Sequence, residues 1–172
     1  MRTIIIALFF AFLTISIHSC DDDESKTGDL TGFAYSPESF SVDLPAHFPA
    51  LAIPSDNPLT TQGILLGRHL FYDPILSADS TMSCASCHLP EFSFTDAKAI
   101  STGIDGIPGK RSAMSLINIG FVQAGLFWDG RIKTLEEQAL LPVEDPIELH
   151  HLWPDVIEKL KVHPTYPKMF RQ

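Results

Sequence analysis

Two thiols and an imidazole stand close together in the middle of the chain, in the run Cys84-Ala-Ser-Cys87-His88. Side chains three residues apart share one face of a helical turn, so both thiols can form thioethers to the vinyl groups of one porphyrin. The next residue, His88, then presents an imidazole to the iron as its proximal ligand. The spacing therefore predicts one covalent haem c, whose iron carries the chemistry while the protein tunes it.

Two other uses of these residues fit the sequence less well. A tetrahedral zinc site needs four ligands and usually a second cysteine pair, and no other cysteine lies near Cys84 and Cys87. A redox dithiol of the thioredoxin type belongs in a strand-helix-strand pattern, which the surrounding Pro- and Gly-rich sequence does not show.

Residues 1–19 are predicted to be a lipoprotein signal peptide. Arg2 gives a positive start, and the apolar run from Ile4 to Ile17 is too short to span a bilayer comfortably. The ending Ile17-His18-Ser19-Cys20 resembles a bacterial lipobox, although His18 is unusual there, and implies cleavage before Cys20 and lipidation of its thiol. An ordinary secretory signal with a stray cysteine is the alternative. We expect an exported protein, held by its lipid at the periplasmic side of a membrane or at the cell surface.

Composition limits the remaining choices. The 172 residues carry a formal net charge of -9 and 45% hydrophobic residues, which gives room for one domain with a real core. The acidic balance argues against nucleic acid as a partner and suits a basic redox partner without requiring one. With Cys20 taking lipid and two cysteines taking haem, no thiol remains for a disulfide.

Residues 20–56 are predicted to form an acidic tether followed by an extended strap. The acidic run Asp21-Asp22-Asp23-Glu24 is consistent with a solubilising tether, with a surface-export signal or with retention at the inner membrane. Prolines then interrupt any regular element. We expect four aromatic side chains to pin this strap to the core: Phe33, Tyr35, Phe40 and Phe48.

The body of the protein is predicted to begin near residue 57 and to be helical. Thr60 can cap a helix that runs through Phe71 and stops at Asp73-Pro74, with Leu66 and Leu70 four residues apart on one face. This helix leads into the haem motif.

A second helix is predicted from Leu135 to Leu141. Thr134 and Glu137 can form its capping box, and Pro142 should limit it. Further along, one face of a third helix is predicted to carry Trp153, Val156, Ile157 and Leu160.

Several short segments occur in a specific order. They are Leu66-Gly67-Arg68-His69-Leu70-Phe71-Tyr72-Asp73-Pro74, Leu76-Ser77, Ser83-Cys84-Ala85-Ser86-Cys87-His88, Phe94-Thr95-Asp96, Phe127-Trp128-Asp129-Gly130-Arg131 and Leu135-Glu136-Glu137-Gln138-Ala139-Leu140. Together they make residues 57–172 resemble the bacterial dihaem cytochrome c peroxidase family, which includes the MauG-like enzymes.

The resemblance implies an all-α, cytochrome-c-like N-terminal haem domain that reduces hydrogen peroxide with electrons from a small cytochrome c or a cupredoxin. His88 matches the proximal ligand, and Trp128 matches a tryptophan between two haems that is a candidate electron relay. The distal residues of the family fall on Gln138, Pro142 and Glu148. Peroxide cleavage needs a group that takes and returns a proton, and we assign this to Glu148, with Gln138 as a hydrogen-bonding partner.

Each assignment has an alternative. Trp128 is also consistent with a core residue, and Glu148 with a solvated carboxylate. Arg131 can pair with a haem propionate or with Asp129. For the whole protein the alternative is a single-haem electron-transfer lipoprotein without efficient peroxidase turnover.

Two features depart from the family pattern. No histidine occurs from Leu89 to Ser112, where many members place a distal ligand, so the resemblance to constitutively open members implies a five-coordinate or water-bound iron. Met114 is expected to pack as a thioether, although reaching the iron is the alternative. The second haem domain of the family has no counterpart before Gln172, so we expect a truncated product. Ser112 stands where the family often has Asn, a calcium ligand between domains, and calcium is expected only in a full-length form.

The covalent haem is directly testable. A mature chain made in a host that matures cytochromes should be coloured, and its mass should exceed that of polypeptide plus lipid by one haem. A colourless protein at the bare mass would contradict the assignment of Cys84 and Cys87.

Overall fold

α-Helices and short 3₁₀ turns make up the regular structure of residues 35–172, the part of the chain that the computed structural model describes. The helices are α1 (Thr61–Tyr72), α2 (Leu135–Glu144), α3 (Trp153–Val162) and α4 (Tyr166–Met169), and the 3₁₀ turns are Pro74–Leu76, Cys84–Ser86, Pro90–Phe92 and Ile119–Phe121. Pairing between extended residues within this range is limited to isolated bridges. The predicted all-α class is therefore confirmed. None of the helices described is both long and apolar enough to cross a bilayer.

Helix α1 begins and ends where the sequence predicts. The Thr60 hydroxyl accepts a hydrogen bond from the Gly63 amide at 2.9 Å and so satisfies one of the unpaired donors of the first turn. The Asp73 amide closes the last turn on His69, and Pro74, which has no amide hydrogen, cannot continue it. Leu66 and Leu70 pack against the core from this helix.

Helix α2 differs from the prediction at its C-terminal end. Thr134 accepts from the Glu137 amide as expected, but Pro142 lies inside the helix, which continues to Glu144. The proline removes one backbone bond, to the carbonyl of Gln138, while the extra residues bring Val143 into the core at 2% exposure. Burial of Val143 therefore offsets the loss of this hydrogen bond, and the helix does not end at Pro142.

The core is small and lies between α1, the end of α2, α3 and α4. Its fully buried apolar members are Leu76, Val143, Leu149, Val156, Leu160 and Tyr166. The predicted face of α3 is confirmed for Val156 and Leu160, with Trp153 partly buried, but it is wrong for Ile157, which is 46% exposed. Positions 153, 156 and 160 follow the three-to-four spacing of one helix face, and Ile157 falls at the edge of that stripe.

The strap runs extended alongside the start of α1 and is held mainly by its backbone. Phe40 donates to Leu59 at 3.0 Å, and Thr61 donates to Glu38 at 2.8 Å. Among the aromatic side chains, Phe48 packs edge-on against Phe121 at 5.4 Å, as predicted. The prediction is wrong for Tyr35 and Phe40, which are 72% and 44% exposed. Phe33 and Cys20 lie outside the described residues.

Three polar side chains tie the core together. The Tyr166 hydroxyl donates to Asp73 at 2.7 Å, and burial together with this bond raises the pKa of Tyr166. The Lys159 ammonium donates to the carbonyls of Ser77 and Ala78 and to the Ser80 hydroxyl, at 3.0 to 3.1 Å. His151 is 7% exposed, and its Nε2 has no hydrogen-bond partner.

The buried His151 should make the protein sensitive to acid. Burial lowers the pKa of His151, and the nearby Lys159 charge lowers it further, so the unfolded chain takes up a proton more readily than the folded chain. The stabilisation is complete above the ordinary histidine pKa of about 6.5 and is lost as the pH falls through the lowered value, with a slope of at most about 1.4 kcal/mol per pH unit. We expect His151→Leu to flatten this fall in the free energy of unfolding, measured by denaturant titration at a series of pH values.

The exposed His69 provides the matched control, and His69→Gln should keep the parent pH dependence. The raised pKa of Glu148 changes the free energy of unfolding with pH in the opposite direction. The parent and the variant share this contribution, so it cancels when they are compared. An acid limb that is unchanged in His151→Leu would contradict the prediction.

Candidate haem site

The residues that the sequence singles out meet at one cavity of about 650 Å³. From the haem motif the cavity is lined by Cys84, Cys87 and His88, and from the later segments by Trp128, Arg131, Gln138, Pro142 and Glu148. Sites for small molecules and cofactors commonly fall within about 300–1,000 Å³. The structure thus brings together all the predicted chemistry of the described residues, while the role of each residue stays a prediction.

The haem motif forms a single 3₁₀ turn, Cys84–Ser86. The amides of Cys87 and His88 both donate to the Cys84 carbonyl at 3.1 Å. Because side chains three residues apart nearly eclipse each other in a 3₁₀ turn, the two thiols lie on the same face of it. Both thiols are free and half-buried on the cavity wall.

Neither thiol has the lowered pKa of a reactive cysteine. Burial raises the pKa of Cys84 and of Cys87, and the charges of Asp96 and Glu148 add to the effect at Cys87. A thioredoxin-type dithiol depends on the opposite shift, which makes the attacking thiolate available near neutral pH. The electrostatics therefore argue against the redox-dithiol alternative.

The ring of His88 is oriented by the backbone. Its Nδ1 lies 2.8 Å from the carbonyl oxygen of Phe94. A carbonyl only accepts hydrogen bonds, so Nδ1 carries the proton and Nε2 keeps its lone pair. Metal-bound histidines commonly have this arrangement, in which a carbonyl or carboxylate fixes the ring and its tautomer.

This carbonyl is aimed by an unusual local backbone. Ser93 and Phe94 both have φ of 58°, in the left-handed region that residues with a Cβ seldom occupy. The loop is closed by two hydrogen bonds between Leu89 and the residues that follow, from Phe94 to Leu89 at 2.8 Å and from Leu89 to Thr95 at 3.0 Å. A histidine with one nitrogen free and two thiols on one face of the same turn fit a c-type haem.

Glu148 is half-buried in the wall of the same cavity. Burial raises the pKa of this carboxyl, the negative charge of Asp145 raises it further, and the positive charge of Arg131 opposes both. Gln138 and Pro142 reach the same cavity from α2. Glu148 thus differs in its surroundings from the nearby Glu144, which is exposed.

Trp128 and Arg131 lie at the cavity rim. Trp128 is 58% exposed and its indole donates to the Ser112 carbonyl at 2.9 Å, so the core alternative is wrong. Arg131 makes two hydrogen bonds to Asp129, at 3.0 and 3.1 Å, and lies over the ring of Phe127. The Asp129 pairing is therefore the one present, while a contact of Arg131 with a propionate stays a prediction.

A tight loop, residues 101–111, forms another part of the wall. It is closed by hydrogen bonds from Gly109 to Ser101 at 2.8 Å and from Ser101 to Arg111 at 3.2 Å. Gly103 at its tip approaches the carbonyl oxygens of Ile147 and Glu148 so closely that a Cβ there would collide with both. Sequence patterns do not reveal this loop, because its contacts are made by the backbone and with distant residues.

Asp96 is a further site residue that the sequence did not single out as such. It is 5% exposed, one carboxylate oxygen accepts from the Lys98 amide at 3.1 Å, and the other has no hydrogen-bond partner. In the sequence, Phe94-Thr95-Asp96 is only one segment of a family motif. The position of this segment in the fold supplies two features that a motif cannot show. The Phe94 carbonyl orients His88, and Asp96 places a buried charge near Cys87.

Comparison with known proteins agrees with this geometry. A family profile described as di-haem cytochrome c peroxidase matches residues 61–172. The chain belongs to this family. Membership implies a covalent c-type haem, in agreement with the fit of Cys84, Cys87 and His88.

Several relatives within the di-haem peroxidase family are similar over the same region. The methylamine utilization protein MauG of Methylorubrum extorquens is 37% identical over 118 residues, 69% of this chain and 33% of the relative. Cytochrome c peroxidase Ccp of Escherichia coli is 39% identical over 123 residues, 71% of this chain and 26% of the relative. A crystal structure of a MauG-like protein associated with microbial copper homeostasis aligns with a TM-score of 0.71 and 36% identity, over 77% of this chain and 39% of that one. The chain thus spans about a third of the length of these relatives.

The close approach of Gly103 can be tested with a matched pair of glycine variants. Gly103→Ala should lower the free energy of unfolding of the haem-loaded protein by roughly 1–3 kcal/mol, because backbone atoms must move to admit the methyl group. Gly67→Ala, inside α1 with no atom within 4 Å of the new Cβ, should instead raise it by about 0.5–1 kcal/mol. Equal stabilities in denaturant titrations would contradict the contact.

Proposed function

We propose that this chain carries the peroxide-reducing haem of a di-haem cytochrome c peroxidase. It would convert hydrogen peroxide to water with electrons from a small cytochrome c or a cupredoxin. The observation that carries the proposal is the meeting of Glu148 and Gln138 with Cys84, Cys87 and His88 at one cavity. An electron-transfer haem needs the last three residues, but it has no need of a half-buried carboxyl facing them.

The proximal side is assigned to the haem motif. Cys84 and Cys87 would hold the porphyrin by thioethers, and Nε2 of His88 would bind the iron while Nδ1 stays bound to the Phe94 carbonyl. When bound, the haem supplies the iron at which the oxygen–oxygen bond is reduced. His88 is the only histidine among the described residues that line the cavity, and Met114, the alternative iron ligand, lines it as well.

The distal side is assigned to Glu148 and Gln138. The conversion consumes one hydrogen peroxide, two electrons and two protons and yields two waters. Glu148 would take a proton from one peroxide oxygen and return it to the other, which leaves as water. Its raised pKa brings the carboxyl closer to the working pH, as an efficient acid–base group requires. Gln138 would orient peroxide by hydrogen bonds without titrating, and Pro142 would limit the space beside it.

The rim and the N-terminal region complete the proposal. Trp128, exposed and fixed by its bond to Ser112, would relay electrons, and Arg131 would exchange Asp129 for a propionate. Residues 1–19 would be a lipoprotein signal peptide. Residues 20–56 would be a tether and strap that hold the haem domain, 57–172, through Cys20 at the periplasmic side of a membrane or at the cell surface. A longer form would add the second haem domain and an interdomain calcium.

Replacing the proposed proton-transfer group tests the mechanism. Glu148→Gln keeps the size of the side chain and removes its ability to accept a proton, so the reaction of the haem-loaded protein with peroxide should slow by roughly 100-fold or more. Stopped-flow absorbance of the ferric protein mixed with peroxide measures the rate directly, independently of any electron donor.

Glu144→Gln is the matched control, because Glu144 is exposed on α2 near the same turn and should react at the parent rate. Unchanged kinetics in Glu148→Gln would remove Glu148 from the mechanism. A six-coordinate, low-spin ferric haem that does not react with peroxide in the parent would favour the electron-transfer alternative, whereas a high-spin haem that reacts quickly would support the peroxidase.

A further inference from the structure

The tip of loop 101–111 rests against the turn that carries Glu148. Gly103 packs against the carbonyls of Ile147 and Glu148, and the Ile104 amide donates to the Glu148 carbonyl at 3.0 Å. At the outer edge of the same contact, Asp105 accepts a hydrogen bond from Nδ1 of His150. Three consecutive residues of the loop therefore contact residues 147–150.

The turn is anchored from its other side by the end of α2. Glu148 and His150 both donate to the Asp145 carbonyl at 3.0 Å, and Leu149 donates to the Pro142 carbonyl at 3.1 Å. These bonds hold the amides of residues 148–150, while the Glu148 carbonyl accepts its hydrogen bond from the loop. The position of the Glu148 backbone thus depends on both sides.

His150 adopts a backbone conformation that serves this contact. Its φ is 46°, in the left-handed region, which costs a residue with a side chain roughly 1–2 kcal/mol. The backbone bonds from His150 to Asp145 and from His151 to Val143, at 3.0 and 2.8 Å, hold the turn in this shape. This conformation turns the imidazole back toward Asp105.

The contact between Asp105 and His150 contributes little to stability by itself. The Asp105 and His150 side chains are 42% and 54% exposed, and pairs of this kind are typically worth about 0–1 kcal/mol. Its loss should leave the protein folded while it releases the loop tip from the turn. If the contact contributes about 1 kcal/mol, its loss shifts the balance between the held and the released loop by about 5-fold, which a rate measurement detects.

We propose that Asp105 and His150 are positioning residues for Glu148: they clamp the tip of loop 101–111 onto turn 145–150 and so hold the Glu148 carboxyl at the cavity. This inference rests on the proposed function, in which Glu148 transfers the proton. The clamp acts through the Ile104–Glu148 backbone bond and the close approach of Gly103.

The test uses the haem-loaded protein and two clamp variants. Asp105→Asn removes the charge at constant size, and His150→Asn removes the ring with a residue that tolerates the left-handed region. Glu158→Gln is the control, because it breaks an exposed carboxylate pair, with Lys161, outside the cavity. Each change is made alone and together with Glu148→Gln, and melting temperatures verify folding.

We expect Asp105→Asn to slow the peroxide reaction by about 2- to 5-fold when Glu148 is present and to leave the rate unchanged in the Glu148→Gln background. Hydrogen exchange should accelerate at residues 103–106 and 147–150 only. The pKa of Glu148, followed by its carboxyl infrared band, should fall toward the ordinary value as the carboxyl gains solvent. Glu158→Gln should match the parent in all three measurements.

The clamp would be overturned if Asp105→Asn behaved like Glu158→Gln, or if it slowed the reaction equally in both backgrounds. His150→Asn gives the same decision if Asp105→Asn does not fold. A parent rate in Glu148→Gln alone would remove Glu148 from the proposed mechanism. Hydrogen exchange and the Glu148 titration would still decide the clamp in that case, since neither measurement depends on turnover.

Discussion

The hydrogen bond between His88 and the Phe94 carbonyl is the interaction on which the site depends. It decides which nitrogen of the imidazole faces the cavity and prevents the ring from turning. The hydrogen bond requires local backbone strain, because Ser93 and Phe94 both occupy the left-handed region. Two backbone bonds to Leu89 close the loop and keep that conformation in place.

The opposite wall of the cavity follows from the way α2 ends. The helix passes through Pro142, puts Val143 into the core and ends at Glu144, and the turn that follows brings Glu148 to the cavity that the two thiols also line. The small core of α1, α3 and α4 lies beneath this turn, where the Ala78 amide donates to the Leu149 carbonyl at 3.0 Å. The two walls are therefore built on one shared support, and neither is an isolated loop.

The parts of the structure that short-range chemistry controls could be predicted from the sequence. The caps at Thr60 and Thr134 and the stop at Asp73-Pro74 depend on neighbouring residues, and the haem motif depends on a spacing of three. The prediction at Pro142 was wrong because the gain from burying Val143 comes from tertiary packing. The exposure of Tyr35 and Ile157 could not be predicted for a similar reason, since hydrophobicity does not say which apolar side chains the core has room for.

The contacts around His88 and Glu148 could not have been read from side-chain types. Every residue offers a carbonyl like that of Phe94, and every residue except proline offers an amide like that of Ile104. What distinguishes these two groups is where distant segments place them. Asp105 and His150 are 45 residues apart. Only the fold brings them together, and the family motifs, which are local, do not include them.

The surroundings of the Lys159 ammonium favour lysine over arginine at this position. Its three acceptors, two carbonyls and one hydroxyl, converge on a single nitrogen at the turn that leads into the haem motif. An ammonium group satisfies them as a compact point charge with three rotatable donors, whereas a guanidinium is a flat fork that spreads its donors over a plane. Arginine would keep the charge at this position and lose the convergence, so the two basic residues are not equivalent here.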